Sequence, residues 1–234
     1  MMQELLCHTI YTDALKFDNK NPIVIDCGAN KGEFCEAMHS LFKAKCFGFE
    51  PDPRLFSQLN SSSSISYYEL AVGHEDGECF LNLGVAQCSS IRFSEAKIFQ
   101  EVKKVSVVDL EKFCNQNSIK FIDLLKIDIE GAELDLLDRL SKDFFARVAT
   151  ITVEFHDFLN INDLPRIKSV IKKMKQHGFF VLRLSYFTYG DVLMINKNIY
   201  PLGALKKIAL IFYKYQVGII RFINKMLCKY LRKY

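Results

Sequence analysis

The stretch PIVIDCGANKGEF, residues 22–34, decides how this chain is expected to fold. Its first part, IVID, predicts a short buried strand that ends at Asp26. The loop CGANKG follows with Gly28 and Gly32, and the apolar residues of EFCEAMHSLF then recur with helical spacing. A strand, a glycine-containing loop and a helix in this order predict a site for a nucleotide-like ligand at the carboxyl edge of a parallel sheet.

Apolar runs that predict strands alternate with amphipathic runs that predict helices along the rest of the chain. The predicted strands are AKCFGFE, ISYYELAVG, KKVSVVDL, FIDLLKIDIE and VATITVEFH, followed by FFVLRLS and DVLMIN as a closing antiparallel pair. The predicted helices are residues 31–43, DPRLFSQLN, 109–117, GAELDLLDRL and 163–177, and DGECFLNLG predicts an inserted β-hairpin. This alternation predicts an α/β fold with a doubly wound sheet.

Three segments are expected: a helix or lead-in over residues 1–20, the main domain over 21–200 and a tail over 201–234. The tail holds eight basic residues and no acid. Since the whole chain carries a formal charge of +4, residues 1–200 carry −4. A nucleic-acid-binding protein would show a basic body, so this composition argues against nucleic acid as a partner.

The eight cysteines are scattered singly, without a C-x-x-C pair. This pattern predicts reduced, mostly buried thiols and argues against a structural zinc site, which needs clustered ligands. The first residues lack the basic flank and apolar core of a signal peptide. A cytoplasmic location is therefore expected.

Two classes of ligand compete for the loop GANKG, residues 28–32. A dinucleotide site prefers G-x-G-x-x-G, because a diphosphate must approach the start of the helix closely. The loop lacks that spacing, and Asp26 just before it would repel a diphosphate. S-adenosylmethionine carries a sulfonium and an ammonium but no phosphate, so it fits an acidic site better.

Glu50, at the tip of the second predicted strand in FGFEPDP, supports the same ligand. An acid about 20 residues past the loop can accept hydrogen bonds from both ribose hydroxyls. The acid alone fits NAD equally well, so an NAD-dependent oxidoreductase stays as an alternative. The combination of the acid with the loop favours the sulfonium compound.

Five segments resemble, in order and spacing, the FkbM-type methyltransferases, which are class I S-adenosylmethionine-dependent O-methyltransferases: VIDCGANKGEF, FGFEPDP, ELAVGHEDG, SSI and DLLKIDIEGAE. The resemblance covers residues 22–156. It implies a mostly parallel, seven-stranded Rossmann-like sheet and methyl transfer to a hydroxyl, often of a sugar or natural product. The implied cofactor contacts are Asp26, Gly28, Asn30, Gly32, Glu50 and Ala71, and the implied substrate contacts include Ser89 and Ser90. Glu69 stands where the family commonly has asparagine, so different hydrogen bonding is expected near the adenine.

The segment LLKIDIEGAE carries charges where a buried parallel strand should be apolar. Strand alternation points Lys126, Asp128 and Glu130 in one direction, toward the edge where ligands of such sheets bind. Asp128 is the first candidate for the base or the substrate-orienting carboxylate of a methyl transfer. Lys126 could keep Asp128 ionised or lower the pKa of an acceptor hydroxyl. Glu130 is assigned to the substrate side, with capping of the next helix as its alternative role.

The strand VATITVEFH ends with Glu154 and His156 on one side. His156 is a second candidate base, because the ordinary pKa of histidine lies nearest neutrality, and Glu154 is expected on the substrate side. Asp128, Glu130, Glu154 and His156 could converge on a divalent metal ion, but nothing in their spacing requires one. No metal is therefore assigned, and the histidines at positions 8, 39, 74 and 177 are given no role.

The tail predicts a basic amphipathic helix. At about 100° per residue, one stripe collects Lys207, Lys214, Arg221, Lys225, Lys229 and Arg232, opposite a wide apolar side that includes Phe212 and Ile219. Charges within the apolar run argue against a bilayer span. A helix on an anionic membrane surface fits, whereas the alternative docks it on the sheet or on the twin subunit of a homodimer. Membrane contact would favour a lipid-linked acceptor and a location at the inner face of the membrane.

The main interpretation is therefore an S-adenosylmethionine-dependent O-methyltransferase that acts on a hydroxyl, with a sugar or glycan as the expected acceptor. A module that binds the cofactor but has lost activity is the alternative from another class, beside the NAD-dependent oxidoreductase.

Overall fold

The computed structural model describes residues 1–15, 21–83, 89–90, 102–156, 161–185 and 188–216. The strands are β1 (Met2–Leu5), β2 (His8–Tyr11), β3 (Ile23–Cys27), β4 (Lys45–Phe49), β5 (Ile65–Tyr68), β6 (Ala71–Gly73), β7 (Gly77–Leu83), β8 (Ser89–Ser90), β9 (Val102–Asp109), β10 (Ile122–Ile127), β11 (Val148–Val153), β12 (Phe179–Arg183) and β13 (Val192–Asn196). The helices are α1 (Thr12–Leu15), α2 (Glu33–Phe42), α3 (Pro53–Phe56), α4 (Leu110–Gln116), α5 (Glu133–Arg139), α6 (Lys142–Ala146) and α7 (Leu164–Gln176). A 3-10 turn (Ile161–Asp163) precedes α7, and residues 204–216 form the C-terminal helix.

Seven strands form the central sheet, in the order β12-β13-β11-β10-β3-β4-β5. Its neighbouring pairs are parallel except the two that involve β13, which runs antiparallel to β11 and β12. The carboxyl ends of β3, β4, β10 and β11 therefore meet at one edge. The predicted seven-stranded, mostly parallel sheet with a closing antiparallel pair is confirmed.

Helices cover both faces of the central sheet. Val24 and Leu124 pack with Phe34 of α2 on one face, whereas Ile25 of β3 packs with Leu137 of α5 on the other. Burial of both faces explains why these strands are near-continuous apolar runs in the sequence. The predicted doubly wound arrangement is thus confirmed.

A second sheet has the order β6-β9-β7-β8 and accounts for two predictions that were wrong in detail. ISYYELAVG is not one strand, because the chain turns at Glu69 and Leu70 and divides into β5 of the central sheet and β6 of the second sheet. KKVSVVDL lies in β9 of the second sheet. The segment DGECFLNLG is not a hairpin: it forms the single strand β7, which pairs over most of its length with β9 and at its end with β8.

The N-terminal residues form a β-hairpin and one helical turn, so the helix predicted over residues 1–20 is wrong for the described residues 1–15. β1 and β2 pair across a turn in which Leu6 and Cys7 both have positive φ. Thr9 donates its backbone N–H and its hydroxyl to the buried Asp191, at 3.2 and 2.8 Å. Asp191 directly precedes β13, so these bonds fix the hairpin beside the carboxyl edge of β11.

The C-terminal helix attaches to the body through Leu210, which is buried with Leu193 and Tyr200. The predicted amphipathic tail is helical over residues 204–216, and residues 217–234 lie outside the described residues. Within the described part of the chain, no helix is long and apolar enough to cross a membrane.

Candidate active site

The loop GANKG needs its composition because every second residue adopts a left-handed backbone. The φ angles of Gly28, Asn30 and Gly32 are 90°, 51° and 80°. Glycine enters this region freely, and asparagine does so more readily than most residues. The loop then folds onto the neighbouring strand, since Gly28 and Ala29 donate their N–H groups to the carbonyl of Phe49, at 3.0 and 2.8 Å.

Glu50 is buried directly after β4 and has unused hydrogen-bonding capacity. Its Oε2 accepts the Asn30 N–H at 2.7 Å, and its Oε1 accepts the Asp52 N–H at 2.8 Å. A carboxylate offers about four acceptor sites, so each oxygen can accept one more hydrogen bond. Burial raises the pKa of Glu50 to about 7. Two further acceptor sites on one carboxylate match a ligand with two neighbouring hydroxyls, such as ribose.

An open cleft lies beside Glu50, at the edge where β3, β4 and β10 end. The predicted residues Gly28, Asn30, Glu50 and Ala71 line it. Its apolar wall consists of Phe49, Leu55, Leu70, Ala71, Val72, Leu81 and Ile129. These residues fit S-adenosylmethionine: Glu50 would hold the ribose, the apolar wall the adenine, and the loop the amino acid end. Glu69, by contrast, is exposed.

Asp26 lies beneath the loop, where the sequence predicted direct contact with the ammonium of the cofactor. Its carboxylate is fully buried, and its Oδ1 lies 2.9 Å from Nζ of Lys126. The same ammonium donates to the carbonyl of Gly28 at 2.9 Å. Asp26 and Lys126 therefore anchor the loop from below. Gly32, which was also predicted to contact the cofactor, ends the loop as the N-cap of α2 and is not among the residues that line the cleft.

Asp128 follows β10, and its two oxygens face different partners. Oδ2 lies 3.3 Å from Nε2 of His8 and 3.7 Å from Nζ of Lys126, whereas Oδ1 lies 3.8 Å from Nε2 of His156. Burial alone would raise the pKa of Asp128, but the hydrogen bond with His8 and the charge of Lys126 lower it to about 2. Asp128 is therefore ionised at neutral pH and can orient a hydroxyl. Of the two roles predicted for Lys126, keeping Asp128 ionised matches this geometry.

His156 is surrounded by carboxylates. Its Nδ1 lies 2.9 Å from Oε1 of Glu133, and its Nε2 lies 3.2 Å from Oε2 of Glu130. Burial alone would lower the pKa of His156, but Glu133, Glu130 and Asp128 raise it to about 9. Both ring nitrogens of His156 are therefore protonated at neutral pH, and the cationic imidazole is not the base that its ordinary pKa suggested.

Glu133 holds His156 and was missed by the sequence analysis. It is buried at the start of α5 and accepts the N–H groups of Ile129 and Gly131, at 3.1 and 3.0 Å. An acid in the first helical turn often reaches back to such N–H groups, and this was the available signal. Since α5 begins at Glu133, capping is not the role of Glu130. Burial raises the pKa of Glu130 to about 7.

His8 is the second residue that the sequence analysis missed. It is 3% exposed, packs edge-on against Phe34 and reaches Asp128 from the N-terminal hairpin. Ligating atoms of His8, Asp128 and Glu154 lie within 4.8 Å of one another. The structure thus brings Asp128, Glu130, Glu154 and His156 to one edge and adds His8 and Glu133. Ser89 and Ser90 form β8 at the edge of the second sheet, and their substrate role stays a prediction.

The sheet order, the loop after β3 and the acid after β4 together define a class I S-adenosylmethionine-dependent methyltransferase. Residues 26–181 match the methyltransferase FkbM domain, and the chain belongs to this family. The cofactor is therefore S-adenosylmethionine, and the NAD-dependent alternative is not retained.

Several known proteins are similar to the chain. It is 27% identical over 160 residues to Methyltransferase 1 of Beauveria bassiana (strain ARSEF 2860). The aligned region covers 57% of this chain and 64% of that protein. It is 25% identical over 203 residues to the 2-O-methyltransferase NoeI of Sinorhizobium fredii (strain NBRC 101917 / NGR234), which covers 78% of this chain and 82% of that protein. Among solved structures, human Methyltransferase-like protein 13 in complex with SAH aligns with a TM-score of 0.49 and 10% identity, over 88% of this chain and 83% of that chain.

Binding of S-adenosylhomocysteine is expected to tighten about tenfold between pH 6 and pH 8, because Glu50 has a pKa of about 7 and only its ionised form accepts from both ribose hydroxyls. Calorimetry at these pH values tests this. Other groups of the site also titrate in this range, so Glu50→Gln is the control and should bind weakly with a flatter profile. Parallel profiles for the two proteins would contradict the role of Glu50.

Proposed function

We propose that the protein methylates a hydroxyl group of a sugar or glycan. The observation that carries this proposal is the cluster of hydrogen-bonding side chains beside the cofactor cleft, which consists of His8, Asp128, Glu130, Glu154 and His156. Ionised carboxylates only accept hydrogen bonds, and a sugar presents several hydroxyl donors close together. The name of the relative NoeI, a 2-O-methyltransferase, supports transfer to oxygen.

Asp128 is the residue of the cluster that orients the acceptor in this reaction. When bound, the cofactor supplies an electrophilic methyl group. Asp128 accepts the hydrogen bond of the acceptor hydroxyl and so aims an oxygen lone pair, while His8 and Lys126 hold Asp128 in place. As the new C–O bond forms, the bond between the methyl group and the sulfonium sulfur would break with release of S-adenosylhomocysteine, and the hydroxyl proton passes to the carboxylate cluster. Alignment of this kind can lower the barrier by several kcal/mol.

The test is transfer of a labelled methyl group from S-adenosylmethionine to a panel of nucleotide-linked and lipid-linked sugars. We expect an O-methyl ether on one ring hydroxyl, located by NMR, and no product from the matching deoxy sugar. Transfer only to nitrogen, carbon or sugar-free acceptors would overturn the proposal. Cofactor binding without transfer to any acceptor would instead favour the module without activity.

We further propose that the C-terminal helix lies on an anionic membrane surface and so favours a lipid-linked acceptor. Of the ten large apolar side chains that are exposed in the described part of the chain, five lie on this helix, with Leu205 83% and Phe212 64% exposed. The five are Leu205, Ile208, Ile211, Phe212 and Tyr215. At about 100° per residue they form one face, opposite Leu210 and Tyr213, which pack on the body. Docking on the sheet therefore accounts for only one side of the helix.

The charges of the tail support a membrane as the occupant of this face. Lys207 and Lys214 border the exposed apolar face in the same helical projection, and residues 201–234 contain no acid. An interfacial helix buries its apolar face at the acyl boundary and directs bordering lysines to anionic headgroups.

Changing both Leu205 and Phe212 to serine is expected to weaken binding to anionic vesicles at least about tenfold, because two large apolar side chains no longer enter the membrane. Co-sedimentation of the full chain measures this. Phe80→Ser, at an exposed position on β7, is the matched control and should bind like the wild type. Equal sedimentation of all three proteins, or a wild-type homodimer that the double variant abolishes, would contradict the membrane proposal.

A further inference from the structure

We propose that Asp128, Glu130 and His156 bind a divalent metal ion that positions the acceptor hydroxyl. Ligating atoms of these three residues lie within 4.8 Å of one another. The metal site follows from the geometry of the three side chains. Only the role of the ion in positioning the hydroxyl rests on the proposed function. The spacing in the sequence did not require a metal, but the structure adds contacts that the sequence does not show.

The separations within the cluster suit ligands that share one ion. Nε2 of His156 lies 3.2 Å from Oε2 of Glu130 and 3.8 Å from Oδ1 of Asp128. Two ligands of an octahedral ion with bonds of about 2.1 Å lie about 3.0 Å apart when adjacent and about 4.2 Å apart when opposite. An ion can therefore enter with small side-chain movements. Three protein ligands leave open positions for water or for hydroxyls of the acceptor.

The orientation of His156 is fixed in the way that is common for metal-binding histidines. Glu133 lies 2.9 Å from Nδ1, and an ionised carboxylate only accepts, so Nδ1 carries the hydrogen. Nε2 then faces Asp128 and Glu130, and the proton that it carries in the metal-free site is released when the ion binds. Metal-bound histidines usually donate their other ring N–H to a carboxylate, which sets the tautomer and the orientation of the ring. Glu133 is itself held by the N–H groups of Ile129 and Gly131.

Asp128 has one oxygen directed to this position. Its Oδ2 faces His8 and Lys126, whereas its Oδ1 faces His156. Lys126 does not replace the ion, because its ammonium is bound at 2.9 Å to Asp26 and at 2.9 Å to the carbonyl of Gly28.

The charge of the cluster also favours a cation. Four carboxylates, those of Asp128, Glu130, Glu133 and Glu154, lie around His156. The positive charges that face them are the protonated imidazole of His156 and the ammonium of Lys126, which is shared with Asp26. Partly buried carboxylates in this number need positive charge close by. A divalent ion supplies two charges at the point where the carboxylates converge. Oxygen ligands together with one imidazole suit Mn²⁺ or Mg²⁺, so Mn²⁺ is a suitable probe.

The experiment is titration of the chelator-treated full chain with Mn²⁺, followed by electron paramagnetic resonance of the free ion. We expect one Mn²⁺ per chain and at least tenfold weaker binding for Glu130→Gln, which keeps the shape of the side chain. His156→Gln should also weaken binding, and thermal unfolding shows whether each variant is folded. Asp76→Asn, which removes an exposed carboxylate paired with Lys112, is the matched control and should bind like the wild type. Absent binding to the wild type, or equal binding to the wild type and Glu130→Gln, would overturn the site.

Failure of the metal site can be told apart from failure of the proposed function. Transfer to a sugar hydroxyl that continues at full rate in excess chelator would overturn the positioning role of the ion and leave the function intact. Stoichiometric Mn²⁺ binding without transfer to any hydroxyl would overturn the proposed function and leave the metal site intact.

Discussion

Replacing Asp128 by asparagine is expected to slow methyl transfer about 100- to 10,000-fold, the range that a positioned acid–base group contributes. The neutral amide keeps the shape of the side chain but loses the charge that draws the acceptor hydroxyl into line. It also presents an N–H donor to either His8 or His156, where an acceptor now stands. Steady-state kinetics with a methylated acceptor measures the change in kcat.

Binding of S-adenosylhomocysteine should weaken much less than turnover in the same variant. Asp128 also lines the cofactor cleft, but the ribose and amino acid contacts of the cofactor are assigned to Glu50 and the loop. Asp76→Asn, which removes an exposed carboxylate outside the site, is the control for the general effect of losing one negative charge. If Asp128→Asn kept the turnover of the wild type, Asp128 would have no part in the reaction. A parallel loss of cofactor binding and turnover would make it a residue of the cofactor site.

Local sequence patterns were sufficient to predict the parts of the site that depend on neighbours in the chain. PIVIDCGANKGEF encodes β3, the loop and α2 in one continuous stretch, since the strand run, the left-handed residues and the helical spacing are all local. Glu50 was predicted because the distance from one parallel strand to the next is nearly constant in such folds. The edge shared by Asp128 and His156 follows from the same regularity.

The residues that were missed depend on contacts across the chain. His8 meets Asp128 from 120 positions away, and no periodicity in residues 1–15 reveals that partner. The hairpin itself was missed because its turn uses Leu6 and Cys7 with positive φ, where turn rules expect glycine or asparagine. The run HTIY, rich in residues that favour strands, was the one local signal.

The partners of buried charges are equally hard to predict from sequence. Asp26 and Lys126 lie on adjacent strands in register, so their pairing follows only once β3 and β10 are known to be neighbours. Asp26 was therefore predicted to contact the cofactor and Lys126 to act in catalysis, whereas the structure joins the two residues beneath the loop. Glu133 was indistinguishable from an ordinary acid in a first helical turn until His156 was placed beside it.

Gly28→Ala is expected to have the largest effect on the fold, with a loss of about 2–5 kcal/mol of stability. A Cβ at this position would lie 1.8 Å from the carbonyl oxygen of Asp128, which is backbone and cannot turn away. The φ of 90° adds strain for any residue with a side chain. Since Asp128 donates its N–H to the carbonyl of Cys27 at 3.0 Å, relief of the clash must separate β3 from β10 at the site itself.

Thermal unfolding measures this loss, and a fall in Tm of roughly 5–15 °C is expected for a chain of this size. Gly203→Ala is the matched control, because a Cβ there meets nothing within 4 Å, and its Tm should stay within about 2 °C of the wild type. Binding of S-adenosylhomocysteine to Gly28→Ala, measured below its Tm, should weaken at least about tenfold, since the loop that faces the cleft is displaced. An unchanged Tm would contradict this prediction, because it would mean that a Cβ at position 28 does not clash with the carbonyl oxygen of Asp128. A lower Tm with unchanged binding would place the amino acid end of the cofactor away from this loop.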